Sequence, residues 1–391
     1  MLQIGNSLAT HFGGTAAACA QLANHLAACG VDVSMLTLAG ANGARAWPLD
    51  PRVVASSCRP IGLRRIGYCP DAPAILGRLP TPDVAHIHGL WRLHLLQSAR
   101  FACDRGIPVI VSAHGMLHAA ALRQRAGLKR VARWLFQDAV LAGARCLHAT
   151  APEEAGEIRR LGFGGPVAVV PWGVDMPDAA PARSGGVSGG CRRVLYLGRL
   201  HPSKGLEPLV RAWARLGERR RSWRLVLAGY DEGSYRARLE TLAAALGLGD
   251  SVTFAGAVEG AGREQLFAGA SVVVLPSPAE NFGFVVPEAL GRCVPVIATH
   301  GSPWSRVVAE GCGWWVPSGE ASLAAALAEA LGRAPEALRE MGERGRRFAH
   351  AHFAWDRAAA DMVELYEWML GRRQAPAFVE RGAPRIPRPA A

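Results

Sequence analysis

Residues 271–299 read "SVVVLPSPAENFGFVVPEALGRCVPVIAT" and pass through three patterns in one short stretch. A run of valines and a leucine comes first, a helix-like segment follows from about Pro287, and a second apolar run, 295–299, closes the stretch. This succession predicts a strand, a helix and a second strand in a parallel sheet. Two glutamates, Glu280 and Glu288, bracket the otherwise apolar junction. Junctions of this kind form binding edges in α/β sheets.

The same alternation of short apolar runs and helix-length segments extends through most of the chain, which predicts an α/β protein with two doubly wound parallel sheets. In the first half we predict strands at 31–38, 84–89, 108–115, 144–150 and 167–173. In the second half we predict them at 193–200, 223–229, 251–258, 270–277, 295–299 and 313–316. Helical spacing of apolar residues predicts helices at 15–29, 206–216 and 355–370.

The length of 391 residues exceeds what one hydrophobic core usually serves, so two domains are expected. A segment rich in Pro, Gly and Ser breaks the alternation near the middle of the chain, as a linker does. We predict a Rossmann-like domain at 1–176, a linker at 177–192, a second Rossmann-like domain at 193–353, a crossover helix at 354–372 and a disordered tail at 373–391. Two such domains would offer the carboxyl ends of their strands to a shared cleft.

Composition excludes several classes of protein. The nine cysteines are odd in number and contain no C-x-x-C, so neither a disulfide framework nor a zinc site is indicated, and we expect a reducing cytoplasm. No apolar run approaches the roughly 20 residues that span a bilayer. We therefore predict a cytoplasmic protein and leave open peripheral attachment at the inner face of the cytoplasmic membrane.

The formal net charge of +12 raises the question of an anionic partner. Lys and Arg are spread along the chain without interleaved aromatic residues, which argues against nucleic acid. Phosphates of a small ligand or an acidic membrane surface fit a diffuse positive charge better. The densest basic stretch is "LRQRAGLKRVARWLF" at 122–136. It predicts either a solvated helix face or a site of attachment to anionic lipid.

Three loops have the composition of phosphate-binding loops. "HFGGT" at 11–15 follows the first strand, and Gly13 and Gly14 would let the backbone approach a ligand. "GRLHPSKG" at 198–205 has the equivalent place in the second domain and contains two cations, Arg199 and Lys204. The third is the "NFGFVV" turn of the opening stretch, which leads into a helix N-terminus.

Motifs for other nucleotide and metal sites are missing from the sequence. There is no G-x-G-x-x-G, no G-x-x-x-x-G-K-[ST] and no D-x-D, so phosphate charge would be met by side chains rather than by a metal ion. His86 and His88 share one face of a strand and His94 follows, but no Asp, Glu or Cys joins them at ligand spacing. We predict no metal site and no cofactor.

A set of motifs in fixed order gives the chain a family resemblance. They are "HFGGT", "HIHGLW", "SAHGML", "ATAPEE", "VPWGVD", "LGRLHPSKGLEPLVRAW", "LPSPAENFGFVVPEAL" and "GCGWWV". The chain resembles glycosyltransferase family 4 enzymes of GT-B fold over about residues 2–370, most specifically in its C-terminal half. Two departures stand out. Trp172 occupies a place where Asn is common, and the first strand begins almost at Met1, so either it is trimmed or the start codon is set too late.

The resemblance implies roles for individual residues. Glu288 would hold the ribose hydroxyls of a nucleotide-sugar donor, Glu280 the hydroxyls of the donor sugar, and Arg199 with Lys204 would neutralise the diphosphate. His114 matches the family's histidine beside the transferred sugar, so His114, Arg199, Lys204 and Glu280 form the catalytic group. The substrate-binding residues would be Gly13, Gly14, His88 on the acceptor side, Val258, Asn281, Phe282, Gly283, Phe284 and Glu288.

The implied activity is transfer of a hexose from a nucleotide-diphosphate sugar, with retention at the anomeric carbon and without metal. The acceptor would be a saccharide or lipid-linked saccharide, in the synthesis of cell-surface polysaccharide or lipopolysaccharide. Two alternatives remain: an epimerase of GT-B fold acting on a UDP-sugar, and a peripheral membrane module without turnover. Loop shapes that single residues do not fix decide the sugar, the base and the acceptor.

Overall fold

A computed structural model of the chain describes residues 1–10, 13–40, 45–63, 65–178, 191–231 and 233–382. The chain divides into two compact units, Met1–Gly173 with Trp355–Ala391, and Val174–Ala354. The first change of unit thus lies just before the expected linker, most of which falls outside the described residues. The chain returns to the first unit at Trp355, one residue after the expected start of the crossover helix.

Strands of both units follow the predicted alternation. They are β1 Leu2–Ile4, β2 Ser34–Leu38, β3 Val54–Cys58, β4 Ala85–His88, β5 Val109–Ser112, β6 Cys146–Ala149, β7 Val167–Val169, β8 Arg192–Leu197, β9 Trp223–Ala228, β10 Val252–Gly256, β11 Val272–Leu275, β12 Val296–Thr299, β13 Gly313–Val316 and β14 Val379–Glu380. Central strands such as β11 are buried along their whole length, as expected where helices cover both faces of a parallel sheet.

Helices connect successive strands in each unit. They are α1 Gly14–Ala28, α2 Ala72–Arg78, α3 Leu93–Cys103, α4 Ala119–Arg123, α5 Ala126–Ala132, α6 Asp138–Gly143, α7 Pro152–Arg160, α8 Leu206–Arg215, α9 Tyr235–Ala245, α10 Gly260–Ala268, α11 Val285–Gly291, α12 Arg306–Ala309, α13 Glu320–Gly332, α14 Pro335–Phe353 and α15 Trp355–Met369. No helix of the described ranges is long and apolar enough to cross a membrane.

Each unit contains one sheet. The first has the order β14-β7-β6-β5-β4-β1-β2-β3 and is parallel except where β14 joins β7. The second has the order β10-β9-β8-β11-β12-β13 and is parallel throughout. Counted within its unit this is 3-2-1-4-5-6, the order of doubly wound domains. The strand order reverses between β8 and β11 in the second unit and between β1 and β4 in the first, where such sheets bind ligands.

The predicted apolar face of α8 is confirmed. Leu206, Leu209, Val210 and Trp213 have no exposed surface, and Leu216, just after the helix, is 6% exposed. They pack into a core that also contains Trp223 of β9 and residues of α13. Packing of these apolar groups out of water fixes α8 on the sheet, and with it the loop that precedes α8.

Two elements differ from the sequence predictions. The tail was expected to be disordered from 373, but Val379 is buried and β14 pairs with β7, so that prediction is wrong for the residues up to 382. Residues 383–391 lie outside the described residues. Sequence patterns also gave no strand at β3, because "VASSC" is mostly exposed at an edge and has no apolar run.

Candidate functional site

The loop after β8 is held against the loop after β11. Tyr196 donates a hydrogen bond from its hydroxyl to the carbonyl of Arg199 at 2.7 Å, which fixes the first turn. Gly205 has a φ of +69°, and a Cβ there would lie 2.3 Å from the carbonyl oxygen of Pro276. Only glycine satisfies both constraints. The two loops therefore meet at the reversal of strand order.

An ion pair joins these two loops. Lys204 Nζ lies 2.6 Å from Glu280 Oε2, and each side chain is 18% exposed. The backbone N–H of Glu280 donates to the carbonyl of Gly301 at 2.7 Å, which holds the carboxylate end of the loop in place. Within the described residues, no further hydrogen bond reaches Glu280 Oε1. In the described parts of the chain, the pair thus leaves two N–H donors of Lys204 and one oxygen of Glu280 without a partner.

The turn after Glu280 is tightly packed. Gly283 has a φ of +75°, and a Cβ there would lie 2.7 Å from a methyl group of Leu275. Trp304 donates from its indole nitrogen to the carbonyl of Phe282 at 2.5 Å. The rings of Phe282 and Phe284 meet edge to face with centroids 4.9 Å apart. The loop is thus fixed by packing rather than left to solvent.

Glu288 lies in the first turn of α11 and has a partner that sequence analysis missed. Arg263 of α10 places a guanidinium nitrogen 2.5 Å from Glu288 Oε2. Burial lowers the pKa of Arg263, but the charge and hydrogen bond of Glu288 outweigh it and raise that pKa above its ordinary value. The Glu288 side chain is 13% exposed, so the carboxylate reaches the surface with one oxygen held by Arg263.

A second arginine braces the same helix. Arg292 is buried and forms two hydrogen bonds with Glu264, at 2.8 and 2.6 Å. It also donates to the carbonyl oxygens of Glu288 and Asp175, at 3.1 and 3.0 Å. The two-pronged pair lowers the pKa of the Glu264 carboxyl through its hydrogen bonds to Arg292. The brace ties α10, α11 and the start of the unit together.

The remaining predicted residues of this unit lie at separate positions. Arg199 is exposed at the end of β8, five residues before Lys204. Asn281 is half-buried beside Glu280. Val258 is half-buried between β10 and α10, and β9 separates β10 from β8 in the sheet. The structure thus brings Lys204, Glu280 and the 281–284 turn together, whereas Val258 sits two strands away.

In the first unit the glycine loop opens α1. Gly13 precedes the helix with a φ of +72°, and Gly14 is its first residue. No described atom lies within 4 Å of where a Cβ at position 13 would project. His11 and Phe12 of the same motif lie outside the described residues. The backbone conformation alone therefore favours glycine at position 13.

Side chains from three neighbouring strands form a buried hydrogen-bonded chain whose direction can be assigned. The carbonyl of Val170 only accepts, so His148 Nε2 donates to it at 2.7 Å. His148 Nδ1 then accepts from the hydroxyl of Ser112 at 2.6 Å. Ser112 Oγ accepts from His86 Nε2 at 2.6 Å, and His86 Nδ1 accepts from the hydroxyl of Tyr366 at 2.8 Å. This direction holds for neutral imidazoles, which burial favours by lowering the pKa of both rings, and it gives each ring one tautomer.

His88 and His114 adjoin this chain. His86 and His88 share one face of β4, as predicted, with ring centroids 4.0 Å apart. His88 Nδ1 lies 3.3 Å from His114 Nε2, and the His114 ring also stacks on Trp172 with centroids 5.5 Å apart. His114 has a φ of +52°, which is unusual for a residue other than glycine and aims its ring into the cluster. Trp172, the departure from the family pattern, is thus an aromatic wall of the histidine site.

Burial sets the ionisation of these histidines. It lowers the pKa of His114 to about 3 and that of His148 to about 4, and the imidazole of His148 adds to the shift at His114. Burial, and then neighbouring imidazoles, also hold the pKa values of His86 and His88 well below the ordinary value. At neutral pH these rings can donate and accept hydrogen bonds, but they do not supply positive charge.

Two further observations bear on metal binding. Cys19 of α1, His88 and His114 offer ligand atoms that all lie within 4.8 Å of one another, so this trio could hold a soft cation. Burial raises the pKa of the Cys19 thiol to about 12, which opposes the thiolate form that metals need. His94 does not belong to this trio. Its Nε2 lies 3.2 Å from the carbonyl oxygen of Gly5.

Two family descriptions match the two halves of the sequence. The glycosyl transferase 4-like domain matches residues 13–173, and the glycosyl transferases group 1 family matches residues 183–348. The ranges correspond closely to the two units of the structure.

Curated relatives give the same result. The D-inositol 3-phosphate glycosyltransferase of Xylanimonas cellulosilytica is 31% identical over 315 residues, which cover 75% of this chain and 73% of that protein. The D-inositol 3-phosphate glycosyltransferase 2 of Catenulispora acidiphila is 32% identical over 281 residues, covering 67% and 65%. The enzyme of that name from Streptomyces griseus is 33% identical over 310 residues, covering 69% and 64%. The chain thus spans slightly less than two thirds of the length of these last two relatives.

Solved structures share the fold. Sucrose-phosphate synthase from Thermosynechococcus elongatus superposes with a TM-score of 0.76 at 24% identity, covering 95% of this chain and 99% of that one. HepE of Anabaena, in complex with UDP and glucose, gives a TM-score of 0.72 at 17% identity, covering 94% and 100%. With the predicted motifs, the two parallel sheets and the matched relatives in agreement, the chain belongs to the group 1 glycosyltransferases of family 4 and has the GT-B fold.

Proposed function

We propose that this chain is a retaining, metal-independent hexosyltransferase that uses a nucleotide-diphosphate sugar as donor. The observation on which the proposal rests is the contact between Lys204 and Glu280, which joins a cation and a carboxylate at the reversal of strand order in the second sheet. Doubly wound sheets bind nucleotides at this place. A carboxylate beside a cation suits a ligand that is both hydroxylated and anionic.

The donor would be read by two carboxylates and two cations. Glu280 accepts hydrogen bonds from hydroxyls of the sugar, and Glu288 accepts them from the ribose, since each has an oxygen without a partner among the described residues. Departure of the nucleoside diphosphate builds negative charge on its phosphates. Arg199 and the remaining donors of Lys204 stabilise that charge as it develops, which removes the need for a metal ion.

The first unit would supply neutral contacts to the transferred sugar and the acceptor. His114 matches the family histidine beside that sugar, and its neutral imidazole suits a hydrogen bond to a hydroxyl rather than to a phosphate. Its ring is held by His88 and Trp172. Gly13 and Gly14 would let the backbone approach the donor, and His88 is the residue proposed for contact with the acceptor.

For the acceptor we propose a saccharide or lipid-linked saccharide, in the synthesis of cell-surface polysaccharide or lipopolysaccharide. The transfer reaction would take place in the cytoplasm, with the enzyme attached peripherally to the inner face of the cytoplasmic membrane. Some relatives are named D-inositol 3-phosphate glycosyltransferases, and a structurally similar trehalose-phosphate synthase was solved in complex with glucose-6-phosphate. An acceptor screen should therefore include small phosphorylated acceptors.

A donor screen tests the proposal most directly. Purified protein is heated with a panel of UDP-, GDP- and ADP-sugars, and the preferred donor raises Tm in proportion to its affinity. Donors that bind are then incubated with acceptors, and products are identified by NMR, which also reports retention of the donor's α configuration. Free epimerised sugar would indicate the epimerase alternative, and donor binding without any product would indicate a module without turnover.

A further inference from the structure

Four large apolar side chains are exposed together on α5 and the π-helical turn Arg133–Gln137 that follows it. Leu128 is 71% exposed, Val131 52%, Trp134 84% and Leu135 61%. Their spacing of three and four residues places them on one face of the helical segment. A cluster of this kind is rare on a surface that faces only water. The amphipathic indole of Trp134 is typical of side chains at membrane interfaces.

A second exposed apolar segment belongs to the same unit. In the loop between β3 and α2, Ile61 is 55% exposed, Leu63 67%, Ile66 44% and Tyr68 43%. The backbone of the loop is closed by hydrogen bonds from Ile61 N to the carbonyl of Tyr68 at 3.0 Å and from Ile66 N to that of Leu63 at 2.8 Å. These hydrogen bonds therefore hold the described residues that carry the exposed apolar groups.

Both segments are fixed to one short stretch of chain. Leu93 donates from its backbone to the carbonyl of Ile66 at 2.9 Å, and Trp91 donates to the side-chain oxygen of buried Gln137 at 2.8 Å. Lys129 also lies over the ring of Trp91, 5.5 Å from its centroid. The exposed loop and the exposed helical segment are thus neighbours on either side of residues 91–93.

The charged residues within these two segments have one sign. Residues 59–70 and 119–137 contain no Asp or Glu. Five arginines of these segments are exposed and form no ion pair with a carboxylate in the described part of the chain: Arg59, Arg65, Arg123, Arg125 and Arg130. Arg133 differs, because Asp138 neutralises it at 2.9 Å. Exposed apolar groups ringed by unpaired cations complement the headgroups and the upper acyl region of an anionic bilayer.

We propose that residues 59–63, 65–68 and 123–135 together form a docking surface for bilayers rich in anionic phospholipid. A second copy of the chain fits the surface less well, because two faces with the same excess of arginine would repel one another. A groove of about 170 Å³ lies beside the docking surface; its lining is mostly apolar, with Leu96, Leu135 and Phe136, but also includes Arg100 and Asp104.

The docking surface also borders the proposed acceptor side. Residues 91–93 follow the end of β4, where His88 is the proposed acceptor contact. Docking would therefore bring the loop after His88 to the bilayer, as a lipid-linked acceptor requires. This inference deepens the proposed function and rests on it only for the acceptor, since binding to vesicles needs neither donor nor turnover.

Co-sedimentation of the full chain with vesicles tests the docking surface. Vesicles of equal parts phosphatidylglycerol and phosphatidylcholine should bind the protein, vesicles of phosphatidylcholine alone should bind it weakly, and added salt should release it. Arg125→Gln with Arg130→Gln should lower the partition coefficient about 25-fold, at about fivefold for each arginine near the surface. Trp134→Ser should lower the partition coefficient as well, and the size of this loss should depend less on the salt concentration than the loss caused by the arginine substitutions.

Matched substitutions elsewhere separate the docking surface from general charge. Arg219→Gln with Arg347→Gln removes the same charge from exposed positions of the second unit, and Val308→Ser removes an exposed apolar group there. Both controls should bind vesicles as the wild type does. The Tm shift with donor should be the same in all variants, so loss of docking is distinguishable from failure of the donor site.

Three results would overturn the inference. Equal loss of binding in the control and docking-surface variants would mean that only net charge matters. Absence of binding to anionic vesicles would remove the docking surface outright. A dimer in analytical ultracentrifugation that Trp134→Ser dissociates would assign the apolar face to self-association instead.

Discussion

The two units place polar side chains at equivalent points of similar sheets. These side chains are charged in the second unit and neutral in the first. In the second unit, Lys204 with Glu280 and Arg263 with Glu288 form charged pairs that reach the surface. In the first unit the polar groups are buried imidazoles, joined to Ser112 and a tyrosine in one hydrogen-bonded chain. Two units of similar fold therefore differ at corresponding places: one has charged pairs and the other has neutral, buried side chains.

This contrast follows from solvation. A charged group that keeps some contact with water beside a counter-ion retains its charge at modest free-energy cost, whereas a fully buried imidazole loses its proton. An anionic leaving group needs the first environment, and a neutral hydroxyl is recognised better in the second. The different roles proposed for the two units can be tested by removing charge from the second unit or by protonating the histidines of the first.

The largest effect is expected at the charged loop of the second unit. Lys204→Ala and Arg199→Ala should each lower kcat by about 10²-fold or more, because a group that stabilises charge in the transition state is lost. Donor affinity should fall less. Steady-state kinetics with the donor found by the Tm screen measures both values. Arg215→Ala, which removes an exposed cation paired with Glu320, is the control and should leave the rate unchanged.

The contact with Glu280 adds a sharper version of this test. Glu280→Gln and the double variant with Lys204→Ala complete a double-mutant cycle. If the double variant loses no more than Glu280→Gln alone, the lysine acts through the position of Glu280 rather than on the diphosphate. A Lys204→Ala enzyme with a rate near that of the wild type would contradict the phosphate clamp altogether.

The buried histidines of the first unit should make the fold sensitive to acid. In the folded chain His148 has a pKa of about 4, against an ordinary value of 6.5, so the unfolded chain alone takes up the proton as pH falls below 6.5. Stability is therefore present above pH 6.5 and is lost towards pH 4, by about 2 kcal/mol between pH 6.5 and 5 for this one residue. Urea unfolding at a series of pH values measures the loss.

His148→Gln is the matched variant for the acid effect. It is expected to be less stable at pH 7, because the hydrogen bonds to Val170 and Ser112 are disturbed. Its unfolding free energy should nevertheless fall less steeply with acid than that of the wild type. Parallel slopes for the two proteins would mean that the folded chain already accepts a proton at position 148.

Sequence patterns predicted the strand and helix succession and the family, because these depend on local periodicity and on contiguous motifs. They did not predict β3 or β14, whose residues are stabilised by edge pairing rather than by an apolar run. The contact of Lys204 with Glu280 spans 76 residues and depends on the neighbouring positions of β8 and β11. Arg263 lies outside every motif. The only local feature that marks it in the sequence is its position next to Glu264, in a helix whose other residues are uncharged.

A smaller effect is expected at Glu288. Glu288→Gln keeps the shape of the side chain but weakens charge-assisted bonds to ribose, so it should raise the KM for donor about tenfold, near 1.4 kcal/mol, with a smaller change in kcat. Arg263→Ala should act in the same direction, because it releases the carboxylate that Arg263 holds. Glu240→Gln, on an exposed pair of α9, is the control. An unchanged KM in Glu288→Gln would show that this residue does not hold the ribose.

Removal of metal ions is expected to leave activity unchanged. The test compares the basic side chains of the second unit with the possible cation site of the first. If the second unit meets diphosphate charge with Arg199 and Lys204, full activity should persist in excess EDTA, since the sequence has no D-x-D to hold a metal beside the phosphates. The first unit provides the control, because Cys19 belongs to the trio that could hold a soft cation. Cys19→Ser should match the wild type with and without the chelator. An enzyme silenced by EDTA and restored by Mn²⁺ or Mg²⁺ would mean that a cation, and not the two basic side chains, neutralises the leaving group.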